Sequence, residues 1–106
     1  MDSLSKITGG KAAVMIYFSS QTCQACKGLR PRVADMMQMH FPRIEFVEVD
    51  AAENPIVTAE ASVFTAPVIL VFFEGKEYLR ESKYISVDQL QEKISRYYNM
   101  LFDKDF

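Results

Sequence analysis

The stretch "AVMIYFSSQTCQACKGLRP", Ala13 to Pro31, carries both cysteines of the chain, Cys23 and Cys26. It opens on an apolar run in which Val14 and Ile16 are β-branched and Tyr17 and Phe18 aromatic. Such a run predicts a buried strand near 12–18. Further on, Leu29, Val33, Met36, Met37 and His40 recur at spacings of three and four, the stripe of an amphipathic helix. Cys23 thus falls where a strand hands over to a helix, and Cys26 lies one helical turn beyond. The pair is a redox couple, a metal clip or two unrelated core residues, and the rest of the chain decides among these.

Working outward, "RIEFVEVD" sets Ile44, Phe46 and Val49 against Glu45 and Glu48, with Val47 breaking the alternation. It predicts a strand near 43–49. In "ENPIVTAEASVF", Asn54 is an N-cap and Pro55 a first helical residue, giving a short helix to about residue 63. "VILVFF" reads as a fully buried strand, and Glu74-Gly75 can turn it back into a second strand near 76–82. Ser86 and Gln89 form a capping box, after which Val87, Leu90, Ile94, Tyr97, Tyr98 and Leu101 lie along one side of a last helix. The order is βαβαββα: a parallel first pair, a terminal hairpin, and an α/β architecture with a central four-stranded mixed sheet flanked by helices on both faces. No linker or repeat interrupts it, so 1–106 reads as one domain with a short lead (1–11) and a short acidic tail (103–106).

The totals bound the function. The chain has 106 residues, 49% hydrophobic and 25% charged, with a formal charge of -2. A chain this size buries a core without a disulfide scaffold or structural metal. No dense basic run is present, which argues against nucleic acid. The apolar stretches Ala12–Phe18 and Pro67–Phe73 are too short to span a bilayer. The first of them follows Lys6 and Lys11 and imitates a secretory leader, but Asp2 sits in its flank and cleavage there would remove a strand. The expectation is a reducing cytoplasm, where a CxxC pair is catalytic or metal-binding rather than a permanent staple.

The chemistry follows from the place of the pair. First-turn amides of a helix are unpaired and its dipole is positive there, so a thiolate at Cys23 is stabilised. A free thiol of pKa near 8.5 is only about 3% ionised at neutral pH, and lowering it to about 7 ionises roughly half. Cys23 then attacks a substrate disulfide, Cys26 attacks the resulting mixed disulfide, and reduced substrate leaves. Lys27 adds positive charge nearby. A zinc site needs about four ligands, whereas the chain adds only His40, roughly four turns down the helix, so no metal is expected. His40 reads as a helix-end residue beside the last carbonyls. Met36, Met37 and Met39 read as flexible core filling rather than a copper site. "YYNMLF" reads as a helix face capping the sheet rather than a dimer surface.

Together, "AVMIYF", "CQAC" followed by Lys27, Pro31 five positions after Cys26, "VEVDAAENP" and "TAPVILVFFEG" resemble the thioredoxin family over about residues 12–102. The resemblance implies a thioredoxin-like fold, a thiol–disulfide oxidoreductase and no bound cofactor. It implies that Cys23 is the nucleophile, Cys26 the resolving thiol, Pro67 a cis-proline beside the pair and Pro31 a helix-kinking proline. Ala66 would offer backbone hydrogen bonds to an extended substrate peptide. With Pro67 and with Thr22, Gln24 and Ala25 around the cysteines, it would make up the substrate-binding positions. Implied partners are disulfide-containing proteins and an external reductant such as a thioredoxin reductase, acting on a monomer.

The departures are specific. Thioredoxins carry tryptophan, glycine and proline where this chain has Thr22, Gln24 and Ala25, and it has no tryptophan. Their buried acid, six residues before the nucleophile, is replaced by Tyr17, and the accompanying lysine by Phe46. A phenol near pKa 10 is a poor proton acceptor at neutral pH. The expectation is that Cys26 loses its proton through water or to the substrate, with slow resolution. Lys83 and Tyr84 border the implied substrate groove with more bulk than usual. Two alternatives stand beside the reductase. One is a glutathione-linked, glutaredoxin-like oxidoreductase, although Glu74-Gly75-Lys76 lacks that family's Gly-Gly pair. The other is a non-catalytic binding module using the groove by Ala66 and Pro67.

Overall fold

In the computed structural model, which describes residues 4–102, eight elements follow one another. They are α1 (Leu4–Thr8), β1 (Ala13–Ser19), α2 (Gln24–His40), β2 (Glu45–Asp50), α3 (Pro55–Glu60), β3 (Val68–Phe73), β4 (Lys76–Ser82) and α4 (Val87–Phe102). The acidic tail 103–106 and the first three residues of the lead lie outside the described residues. The sheet order is β2-β1-β3-β4. β1 and β2 run parallel, while β3 is antiparallel to both β1 and β4. The expected four-stranded mixed sheet is present, and the lead supplies the additional short helix α1.

Strand alternation divides the core. Ala13, Met15 and Tyr17 of β1 and Ile69, Val71 and Phe73 of β3 pack with Val33, Met36 and Met37 of α2 and with Leu90 and Ile94 of α4. Val14, Ile16 and Phe18 of β1 and Val68, Leu70 and Phe72 of β3 pack on the other face with Ile7 of α1 and with Val57 and Ala61 beside and within α3. Both central strands are therefore buried on both sides, which is why their sequences read as continuous apolar runs. β2, at an edge, was expected to bury one face. Instead Phe46, with Ile44 just before the strand, joins the first cluster while Val47 and Val49 join the second. The residue read as breaking the pattern thus serves the other core.

Local signals explain most boundaries. Glu74 and Gly75 both take positive φ (53° and 82°), the primed-turn geometry that suits strand twist and closes the hairpin. At the start of α4, the Gln89 amide donates to Ser86 Oγ at 3.1 Å and the Ser86 amide donates to Gln89 Oε1 at 3.2 Å, so the capping box is closed on both sides. Met39 departs from the core-filling expectation: it is 75% exposed, because it points away from the face that buries Met36 and Met37. α3 ends earlier than the expected residue 63. Ser62 takes φ 56°, its amide donates to the Ala59 carbonyl, and the Val63 amide donates to the Thr58 carbonyl (3.0 Å each). That is a left-handed helix stop built on serine in place of the usual glycine. The Asn54 side chain makes no cap bond but donates to the Asp50 carbonyl at 3.0 Å.

Two substitutions test these ends in opposite directions. Ser86→Ala removes one of the reciprocal cap bonds and is expected to cost about 1 kcal/mol in urea unfolding. Ser62→Gly relieves the left-handed backbone and is expected to raise stability, by up to about 1 kcal/mol.

Candidate active site

β1 ends at Ser19, and a short turn brings the chain to Cys23, whose amide donates to the Ser20 carbonyl at 3.2 Å. Cys23 is the N-cap of α2, with extended backbone (φ -88°, ψ 102°), and its Sγ accepts the amide N–H of Cys26 at 3.1 Å. Sulfur takes here the place that a serine or aspartate oxygen fills at other helix starts. In the structure Cys23 and Cys26 are joined as a disulfide, with Cα atoms 5.3 Å apart. Cys23 is half-buried, whereas Cys26 is buried in the core cluster under α2. In the reduced protein the same amide and the helix dipole would favour a thiolate on Cys23 over one on Cys26.

Thr22, Gln24 and Ala25 are all exposed around the pair. Ala66 packs against the same core cluster as Cys23, which brings the loop before β3 to the cysteine end of the molecule. Its peptide bond to the buried Pro67 is cis. The register pairs Val68 with Ser82, so the turn holding Lys83 and Tyr84 lies at this end too. Tyr84 is 84% exposed, with the Lys83 ammonium 5.3 Å from its ring centre. Pro31 lies inside α2, where it withholds an N–H from the Lys27 carbonyl.

Tyr17 lies beneath the pair, fully buried, and its hydroxyl donates to the Cys26 carbonyl at 2.8 Å. Burial, with the charge of Glu48 adding to it, pushes its phenol up to about 12. The group under the cysteines is therefore a neutral donor committed to a backbone carbonyl. Phe46 packs against it, with ring centres 6.2 Å apart, so an apolar ring covers the phenol on that side.

The polar equipment lies to one side. A cavity of about 440 Å³ between α2 and the end of β2 is lined by Cys26, Lys27, Arg30, Glu48, Asp50 and Glu53 among others. The Arg30 Nε donates to Glu48 Oε1 at 2.6 Å, and that bond raises the guanidinium further. Asp50 Oδ1 accepts the amides of Ala52 and Glu53 (2.9 and 3.2 Å) and shapes the loop before α3. The sequence reading missed Arg30 and Glu48. Arg30 had one signal, its position one turn beyond Cys26 on the same helix face. Glu48 had none, since its neighbours come from the β1–β2 register, which sets it beside Tyr17. Among the described residues no cluster of three or more histidine, cysteine or acidic side chains is arranged to hold a metal, and no helix is long and apolar enough to cross a membrane.

Comparison with known proteins agrees with this arrangement. The sequence profile described as Thioredoxin matches residues 4–96. The chain belongs to the thioredoxin family. Among curated proteins it is similar to "Thioredoxin-like protein YdfQ" of Bacillus subtilis, 34% identical over 85 residues, 80% of this chain and 75% of that protein. It is also similar to "Thioredoxin" of Chlamydia trachomatis, 30% identical over 84 residues, 79% of this chain and 81% of that protein. Among solved structures, the thioredoxin of Fasciola hepatica superposes with a TM-score of 0.74 at 28% identity, covering 91% of this chain and 98% of the other. A thioredoxin-family fold with a cysteine pair this close supports thiol–disulfide oxidoreductase chemistry.

The Tyr17 geometry sets a pH dependence. Below pH 10 the phenol is protonated in folded and unfolded chains alike. Between about 10 and 12 only the unfolded chain loses the proton, so the contribution of Tyr17 to stability falls as pH rises. Tyr17→Phe is expected to cost about 1 kcal/mol at pH 7 through the lost hydrogen bond. It should also remove this part of the alkaline loss, seen by comparing urea midpoints of the two proteins at pH 7 and pH 11.

Proposed function

We propose that this thioredoxin-family protein reduces disulfides of protein substrates by dithiol exchange, with Cys23 as nucleophile and Cys26 as resolving thiol. The observation that carries this reading is the asymmetry of the pair. Cys23 is the less buried cysteine and sits on the helix start, where its Sγ accepts an amide N–H, while Cys26 is held in the core one turn behind. The Cys23 thiolate attacks one sulfur of the substrate disulfide and displaces the other as thiolate. Cys26, having given up its proton, then attacks Cys23 Sγ, closing the Cys23–Cys26 disulfide and releasing the second substrate thiolate. Two electrons pass from the protein to the substrate, and an external reductant such as a thioredoxin reductase must return them.

Ala66 and Pro67 would hold an extended substrate strand through the backbone, with Thr22, Gln24 and Ala25 forming the rim beside the nucleophile. We place the protein in the cytoplasm as a single-domain monomer that uses no bound cofactor, nucleic acid or membrane. A reducing compartment keeps the dithiol charged, which a reductase requires.

The test is a redox equilibrium of the purified protein against dithiothreitol and glutathione buffers, with free thiols trapped and counted by mass. A reversible two-electron transition near the thioredoxin value of roughly -270 mV is expected. A value of about -120 to -180 mV would reverse the direction and make the protein an oxidant or isomerase. No internal disulfide at any poise would overturn the dithiol mechanism in favour of a binding module. Cys26→Ser should accumulate a mixed disulfide at Cys23, and Cys23→Ser none. Full turnover by Cys26→Ser with glutathione would instead favour the glutathione-linked reading.

A further inference from the structure

The dithiol reading just proposed leaves a step without a residue: the resolving thiol must lose a proton, and the group beneath it is Tyr17. That phenol already donates to the Cys26 carbonyl and is fully buried, so it offers no acceptor at neutral pH. Phe46 closes the neighbouring position with a ring. The way out that the structure does offer is lateral. Cys26 contributes to the wall of the cavity between α2 and the end of β2, and the same wall holds Glu48 and Arg30. At about 440 Å³ the cavity has room for several waters, each of which takes roughly 30 Å³ in the liquid.

Glu48 is the carboxylate placed to use that space. It is the register partner of Tyr17, so it lies on the face of the sheet that Tyr17 and Cys26 share, and its charge is felt at the Tyr17 phenol. Its Oε1 is held by Arg30, and the residue lines the same cavity as Cys26. Asp50 points an oxygen at the loop amides instead, and Glu53 follows in that loop. The groups that face Glu48 are Cys26, Lys27 and Arg30 from α2, Tyr17 from β1, and Asp50 and Glu53 from the end of β2 and beyond. Two cations, Lys27 and Arg30, stand against three acids here, and Arg30 is committed to Glu48.

We infer that Glu48, acting through water in this cavity and positioned by Arg30, relays the proton of Cys26 during resolution. The Cys26 thiol passes its proton through solvent to the Glu48 carboxylate as its sulfur attacks Cys23 Sγ. The Cys23–substrate S–S bond breaks, the Cys23–Cys26 bond forms, and the electron pair leaves on the substrate sulfur. Glu48 then returns the proton through solvent to that thiolate. Atoms and charge balance, and no further reagent is needed. The acid–base function is thus moved from the strand beneath the pair to an edge strand beside it.

A pH profile separates a relay from simple electrostatics. A carboxylate that only repels a thiolate would slow resolution, and its removal would speed the step at neutral pH. A relay gives the opposite sign: its removal slows the step while Cys26 is protonated and has no effect once Cys26 is ionised by the medium. The experiment mixes the reduced full chain with one equivalent of 5,5′-dithiobis(2-nitrobenzoate) in stopped flow from pH 6 to 9.5. The first chromogenic thiolate reports attack by Cys23 and the second reports resolution by Cys26. For Glu48→Gln the first phase should be unchanged and the second slowed on the order of ten- to a hundredfold at pH 7, converging on the parent rate above pH 9. Arg30→Gln keeps the carboxylate but frees it, and should slow the second phase less than Glu48→Gln. A second phase that is unchanged or faster at pH 7 in Glu48→Gln, with a normal first phase, overturns the relay while leaving the dithiol mechanism standing. Loss of the first phase in the parent protein would instead remove the dithiol mechanism itself. Equal urea midpoints for parent and variants exclude misfolding as the cause.

Discussion

β1 and β3 are buried on both faces, and much else follows from that. A strand that is apolar at consecutive positions must have cover above and below, so α2 and α4 close one side and α1 and α3 the other. The crossover from β1 to the parallel β2 must also pass over the sheet, which sets α2 against the first cluster with its N-terminus at the end of β1. Cys23 caps that helix because the chain turns there. The site's location is thus a consequence of sheet burial, and the rest of the active end is assembled by strand register. Pairing of Val68 with Ser82 carries the Ala66–Pro67 loop and the Lys83–Tyr84 turn to the same end.

Once placed, the pair sits in an unusual electrostatic setting for its family. The position directly beneath the disulfide is neutral and committed to the backbone: Tyr17 donates to Cys26, and Phe46 packs across from it. Ionisable groups gather instead on the flank, where Arg30 and Glu48 meet over an open cavity. A neutral floor does not repel a thiolate, and it gives the Cys26 backbone a donor close to where Pro31 withholds one from the helix. The same floor takes the local proton acceptor away. The neutral donor beneath the pair and the carboxylates beside it are thus spatially separate.

The helix ends show a similar division between local and distant causes. The Ser86–Gln89 box and the Glu74-Gly75 turn were legible because their bonds close within four residues. The stop of α3 was not, because Ser62 carries no glycine signal for the left-handed backbone it adopts. Distant contacts support it: Arg80 of β4 donates to the carbonyls of Ala61 at 2.7 Å and Ser62 at 3.3 Å. Val47 and Met39 were misread for a related reason. Which face of an edge strand or helix is covered depends on what packs there, and periodicity reports only that faces exist.

By itself the sequence determined the order of the elements from β1 onward, the two fully buried strands, the hairpin and the cysteines at a helix start. Each of these rests on residues close together in the chain, where steric and hydrogen-bond preferences act without the rest of the molecule. It also carried enough of the family's pattern to identify Cys23, Cys26 and Pro67 as the residues to watch. Tertiary structure alone decided what surrounds them: that Tyr17 donates to Cys26, that Glu48 lies beside Tyr17, that Arg30 binds Glu48, and that a cavity reaches the resolving cysteine. Those contacts join residues from three elements, and a one-residue change of strand register would send Glu48 to the opposite face of the sheet.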